Sequence, residues 1–267
     1  MTEPAALGRR AAAEFVGTGA LVAVVVGSGI QAARLSPDVG VQLLANSLTT
    51  VCGLGVLIAL FGPVSEAHFN PAVTLAAWWT GRHGGDGPDL RTAAVYVPAQ
   101  IAGAIGGAVL ADAMFAAPLV RWSTHVRSSP HLWLGEVVAT AGLILLILGL
   151  ARTGRTQVAA VAVASYIGAA YWFTSSTSFA NPAVTIGRAF TDSFAGIAPG
   201  SVLPFIAAQF VGLALGVALV AVLFGRPTSP GGDPVVPHGE HHPLPTAAGG
   251  RPLPSVAQEQ EQEAVRP

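Results

Sequence analysis

The chain has 267 residues, 52% of them hydrophobic and only 10% charged, with a net charge of −1 and a mean hydropathy of +0.58. A soluble domain ordinarily carries about 25% charged residues, so this composition excludes one and indicates a membrane protein; the near-zero net charge gives no reason to expect nucleic acid or an anionic surface as partner. The single cysteine, Cys52, excludes an internal disulfide and leaves the redox compartment unread.

A bilayer core about 30 Å thick takes about 20 mostly apolar residues per helix. The first such run, near 11–31, starts too close to Glu14 and extends too far for a cleaved signal peptide, so it is expected to stay in the protein. A second spans about 41–62. A shorter apolar piece, about 69–80, opens with Asn70-Pro71-Ala72 and is too short to cross. Further runs lie near 91–113, 131–151 and 157–175. A second short piece, about 181–190, opens with Asn181-Pro182-Ala183, and a last run covers about 201–224. Six spanning helices and two half-length ones are expected.

Proline suits the first turn of a helix, where its missing N–H has no partner to lose, and asparagine is a preferred cap. Each Asn-Pro-Ala is therefore read as the start of a half-helix, and such backbone survives at membrane depth only inside protein or along an aqueous cavity. The segment 225–267, rich in Pro, Gly, Gln and Glu without apolar periodicity, is expected to be a disordered tail. Its His238, His241 and His242 are read as part of a solvated tract and not as a metal site. Residues 1–10 form a short leading segment, and 11–224 the membrane domain.

All 13 basic residues are arginine. With the N-terminus in the cytoplasm, Arg9, Arg10, Arg82, Arg91, Arg152, Arg155, Arg226, Arg251 and Arg266 lie inside, and Arg34, Arg121, Arg127 and Arg188 lie outside. The bias favours both termini in the cytoplasm of a protein of the cell (inner) membrane.

The chain is also a repeat, with halves at about 11–115 and 131–224. AEFVGTGALV at 13–22 matches GEVVATAGLI at 135–144, pairing Glu14 with Glu136. NPAVT occurs at 70–74 and again at 181–185, and Gln100-x-x-Gly103 matches Gln209-x-x-Gly212. Three spanning helices per half is an odd number, so the second half enters from the opposite side. Two half-helix N-termini then meet near the midplane, each carrying partial positive charge and unpaired N–H donors. A cation or proton meets a barrier there, whereas a neutral hydroxylated molecule accepts hydrogen bonds from Asn70 and Asn181.

Glu14 and Glu136 lie inside apolar segments, where a carboxylate is costly unless partnered. The glycines Gly103, Gly106, Gly107, Gly212 and Gly216 read as faces of close helix packing.

The duplicated NPAVT and the half-repeats around it resemble the major intrinsic protein family of aquaporins and aquaglyceroporins, over about 11–224. The resemblance implies a right-handed bundle of six spanning helices and two half-helices, one pore per subunit, a homotetramer in lipid, no enzymatic activity and no cofactor or metal. It implies that Glu14 and Glu136 brace the half-helix loops. His68 in SEAHFNPAVT resembles the family's pore-side histidine, whereas Glu66 stands where that pattern has Gly. The residue directly following the second NPA is usually Arg at the outer constriction; here it is Val184. Arginine supplies rigid donors and a fixed charge, and both are lost with Val. The family's spacing places Ala169 and Ser178 at two other filter positions, and either Thr50 or Cys52 at the fourth. Arg188, four residues past Val184 and one helical turn further out on roughly the same face, either leans back to do the filter's work or guards the outer mouth, and the second is the expectation.

The segment IGAAYWFTSSTSFANPAVTIGR resembles a bacterial subgroup of aquaglyceroporins encoded among arsenic-resistance genes. That implies passage of arsenite, uncharged As(OH)3 at neutral pH, and of methylated arsenicals; the sequence does not rank arsenite, glycerol, urea and water as solutes. The alternative is an ion-coupled transporter built on the same inverted repeat. Such a protein needs a coupling carboxylate near the half-helix tips, whereas Glu14 and Glu136 sit near helix starts. HExxH, GxSxG and paired intramembrane acids, the marks of a membrane enzyme, are absent from the spans.

Overall fold

The computed structural model describes residues 5–82 and 87–225. The expected tail, with its three histidines and Arg226, Arg251 and Arg266, lies outside the described residues. Among those described there are eight α-helices and no strands: α1 Leu7–Leu35, α2 Val39–Ser65, α3 Pro71–Gly81, α4 Leu90–Met114, α5 Pro130–Arg152, α6 Ala159–Phe173, α7 Pro182–Gly187 and α8 Pro199–Phe224. Six helical segments are long and apolar enough to cross a membrane, α6 together with the 3-10 turn that precedes it. Hydropathy located these runs but not their ends, because polar residues such as Arg9, Arg10 and Arg34 continue the helical hydrogen bonding beyond the apolar stretch.

Six crossings return the chain to the side from which it started, so Leu7 and Phe224 share one face, called here the terminal side. The half-helices α3 and α7 begin at mid-depth and run outward to opposite faces. Each starts with Asn as N-cap and Pro in the first turn; the caps have nearly equal backbone angles, φ −154° at Asn70 and φ −156° at Asn181. Other helix starts also follow local chemistry: Asp38 and Asp89 accept from the N–H of Val41 at 2.9 Å and of Thr92 at 2.7 Å.

Between lipid-embedded helices there is little hydrophobic drive to associate, so close approach through small residues does the work. α1 packs on α4, and in the second half α5 packs on α8. A methyl added at Gly103 would collide with the Phe15 carbonyl, and one at Gly107 with the Gly19 carbonyl. The same holds in the other half at Gly212 and Gly216, where the added carbon would lie 2.6 Å from the Val137 carbonyl oxygen and 2.8 Å from that of Ala141. Gly106, grouped with these from sequence, instead faces open space. Its helical phase turns it away from α1.

Candidate functional site

The loops that lead into the half-helices are built alike. Glu66, Ala67 and Phe69 before α3 have left-handed φ values of 71°, 50° and 47°, and Thr177, Ser178 and Ala180 before α7 have 61°, 50° and 46°. Side-chain-bearing residues disfavour that region, so the surroundings must hold them there. Two buried carboxylates do so. Glu14 Oε1 accepts from Ser65 Oγ at 2.6 Å and the His68 N–H at 3.0 Å, while Oε2 accepts from the Phe69 N–H and Gln100 Nε2, both at 2.7 Å. Glu136 accepts from the N–H groups of Phe179 at 2.8 Å and Ala180 at 2.9 Å, and from Gln209 Nε2 at 2.6 Å. Both carboxylates are wholly buried. Every oxygen is occupied by fixed donors, an arrangement suited to bracing a loop.

The two halves then lock together through the asparagines. Asn70 Nδ2 donates to the Ala180 carbonyl and Asn181 Nδ2 donates to the Phe69 carbonyl, each at 2.8 Å. Their Oδ1 atoms cap their own helices, accepting from the Ala72 N–H at 2.9 Å and the Ala183 N–H at 3.0 Å. An amide nitrogen carries two hydrogens. One fixes the opposing loop, which leaves the second for whatever occupies the space beside it.

That space is a cavity lined by Asn70, Asn181, His68, Thr50, Ser178, Val184 and Arg188, and by an apolar wall that includes Leu21, Leu54, Val73, Leu143 and Ile167. Of the two candidates on α2, Thr50 is buried in this lining, while Cys52 is exposed on another face of the helix. Two residues along a helix turn the side chain by more than half a revolution, so only one of the pair faces inward. Ala169 is likewise not in the lining; it is exposed, and Tyr171 from the same helix lines the cavity in its place. The Tyr171 hydroxyl lies 3.2 Å from Thr50 Oγ1.

Arg188 departs from its expected place as well. It is 3% exposed and part of the cavity wall. α7 has only six residues and tightens into a 3-10 turn at Arg188–Phe190, which brings the side chain back toward the cavity. The guanidinium lies 3.4 Å from the centroid of the Phe179 ring, and Nε donates to the Ala195 carbonyl. Arg127 approaches the same ring at 5.1 Å. On the loops of the face opposite the termini, the backbone N–H and hydroxyl of Thr124 both donate to Asp192 Oδ1 at 2.9 Å and hold that carboxyl below its usual range. The signal for Arg188 was present in the sequence as its one-turn spacing from Val184; Tyr171 had no signal beyond its aromatic side chain.

Residues 2–177 match the model of the major intrinsic protein family. The chain belongs to that family. Its members are membrane channels, which accords with a lined passage between two opposed half-helices. Aquaglyceroporin AqpS of Rhizobium meliloti (strain 1021) is 47% identical over 224 residues, 84% of this chain and 93% of that protein. The glycerol uptake facilitator protein of Bacillus subtilis (strain 168) is 31% identical over 157 residues, 54% of each chain. Among solved structures, the aquaglyceroporin from Plasmodium falciparum superposes with a TM-score of 0.62 at 22% identity, covering 82% of this chain and 97% of that one. That likeness shows the shared fold.

Proposed function

We propose that the protein is a passive channel of aquaglyceroporin type for small neutral solutes, among them arsenite and methylated metalloid oxyacids, with glycerol and water also passing. The observation that carries this reading is the reciprocal pair Asn70–Ala180 and Asn181–Phe69 at the tips of two opposed half-helices. Helix N-termini pointing at the same spot disfavour a cation, while the two amides offer hydrogen bonds to a hydroxylated solute. Val184 supports the wider solute range, since an apolar wall accommodates a methyl group at little cost. Similarity to AqpS over most of both chains supports the aquaglyceroporin type.

In this reading Pro71, Ala72, Pro182 and Ala183 start the half-helices, and Thr50, Tyr171, Ser178, Val184 and Arg188 form the outer constriction. The channel operates as a homotetramer in the cell membrane with both termini in the cytoplasm, as the arginine bias suggests.

The test is solute flux into proteoliposomes holding purified protein, with arsenite, glycerol and water measured separately and no ion gradient imposed. Arsenite and glycerol uptake above protein-free vesicles is expected. Uptake that appears only when a proton or sodium gradient is imposed would overturn the channel in favour of a coupled transporter.

A further inference from the structure

Glu66 ends α2 with φ 71° and ψ 0°. Glycine is the residue that this left-handed conformation favours, and a side chain there strains the backbone. The side chain does not extend into solvent; it is only 12% exposed and reaches two partners at once. Oε1 accepts from Arg10 Nη2 at 3.1 Å, and Oε2 lies 3.2 Å from His68 Nε2, a contact that becomes an ion pair when the imidazole is protonated. Arg10 is itself anchored, donating from Nε to the Tyr96 hydroxyl at 2.8 Å.

His68 is the ring at the receiving end. Its side chain is wholly buried yet lines the channel, with Nδ1 3.1 Å from Thr74 Oγ1 and the ring edge-on to Tyr96 at 5.8 Å. In the repeat, His68 corresponds to Phe179, the second residue before each Asn. Phe179 is covered by the Arg188 guanidinium. Both rings beside the opposed half-helices are therefore held by a charged group, a cation on one side of the membrane and a carboxylate on the other.

We infer that Glu66 is a positioning residue for solute passage: bridging Arg10 and His68, it holds the imidazole against the channel wall and keeps the terminal-side passage open to solutes larger than water. Releasing Nε2 lets the ring lean into the lumen, where a three-carbon polyol is obstructed more than a water molecule. This inference needs only a conducting channel and is independent of which metalloid is carried.

The test uses the full chain in proteoliposomes, with glycerol and water as probes. Glu66→Gly is the informative variant, because glycine relieves the backbone and separates the role of the carboxylate from that of the fold. The thermal unfolding temperature is expected to be unchanged or raised. Glycerol permeability is expected to fall about fivefold relative to water, the size of one modest tether lost. Glu66→Gln, which keeps length but removes the charge, falls in between. In a His68→Ala background, Glu66→Gly is expected to add nothing. An unchanged glycerol-to-water ratio in Glu66→Gly overturns the inference. So does the same fivefold fall in the His68→Ala background, or a fall accompanied by a lower unfolding temperature.

Discussion

The hydroxyl of Tyr171 stands 3.2 Å from Thr50 Oγ1, joining α6 to α2 across the cavity. A buried hydroxyl pair in the cavity wall keeps donor and acceptor capacity for a passing polyol. Tyr171→Phe retains the ring and removes that capacity. Glycerol permeability should drop about fivefold, the equivalent of one hydrogen bond, with water less affected. A stopped-flow comparison with wild type checks it, and an unchanged glycerol-to-water ratio would show that the hydroxyl takes no part in solute passage.

Tyr171 also shows where sequence reading stops. The repeat, the half-helices and the asparagine caps were legible because each rests on a short-range rule: apolar length, Asn-Pro at a helix start, and the same motif twice. The filter was not. Counting back from Asn181 to α6 assumes a fixed path through 174–180, but that path contains three left-handed residues, Thr177, Ser178 and Ala180. Glu136 from another helix holds the end of that path through the N–H groups of Phe179 and Ala180, and the turn has no signature in hydropathy. The count therefore fell on Ala169, on the exposed face. The choice between Thr50 and Cys52 stays open in the sequence because hydropathy along α2 gives no clear phase for its inner face; the lining contains Thr50, and Cys52 is exposed.

Asn70→Asp and Asn181→Asp should each reduce neutral-solute flux about tenfold while the bundle remains folded. The remaining carboxylate oxygen still caps the helix, but the donor to Ala180 or Phe69 becomes an acceptor facing a carbonyl oxygen. Circular dichroism should stay helical. Wild-type flux in both variants would sink the paired-amide constriction.

The two buried glutamates should differ in importance by the number of donors they satisfy. Glu14 receives Ser65, His68, Phe69 and Gln100; Glu136 receives Phe179, Ala180 and Gln209. Replacing either with Gln turns an acceptor toward a donor and should cost about 1–3 kcal/mol. Thermal unfolding in mild detergent should therefore drop for both variants, and further for Glu14→Gln. A stable, fully active Glu136→Gln protein would contradict the bracing role.

The strongest test of solute choice compares Val184 with Arg188. Both line the cavity, but only Arg188 carries charge, and its guanidinium is already committed to the face of Phe179 and the Ala195 carbonyl. If Val184 sets the width and polarity of the constriction, Val184→Arg should introduce donors opposite Tyr171 and Ser178. Water flux should then change by no more than about twofold, while arsenite passage falls about tenfold and methylated solutes fall further. The ordering follows from desolvation: a guanidinium must give up hydration to admit a methyl group, which an isopropyl group need not do. Arg188→Ala should leave the order of neutral solutes intact and weaken the barrier to cations, measured as a potassium or proton leak in the same vesicles. The opposite pattern, with Arg188→Ala reordering the neutral solutes and Val184→Arg leaving them as they were, would transfer the selectivity to Arg188 and remove Val184 from the filter.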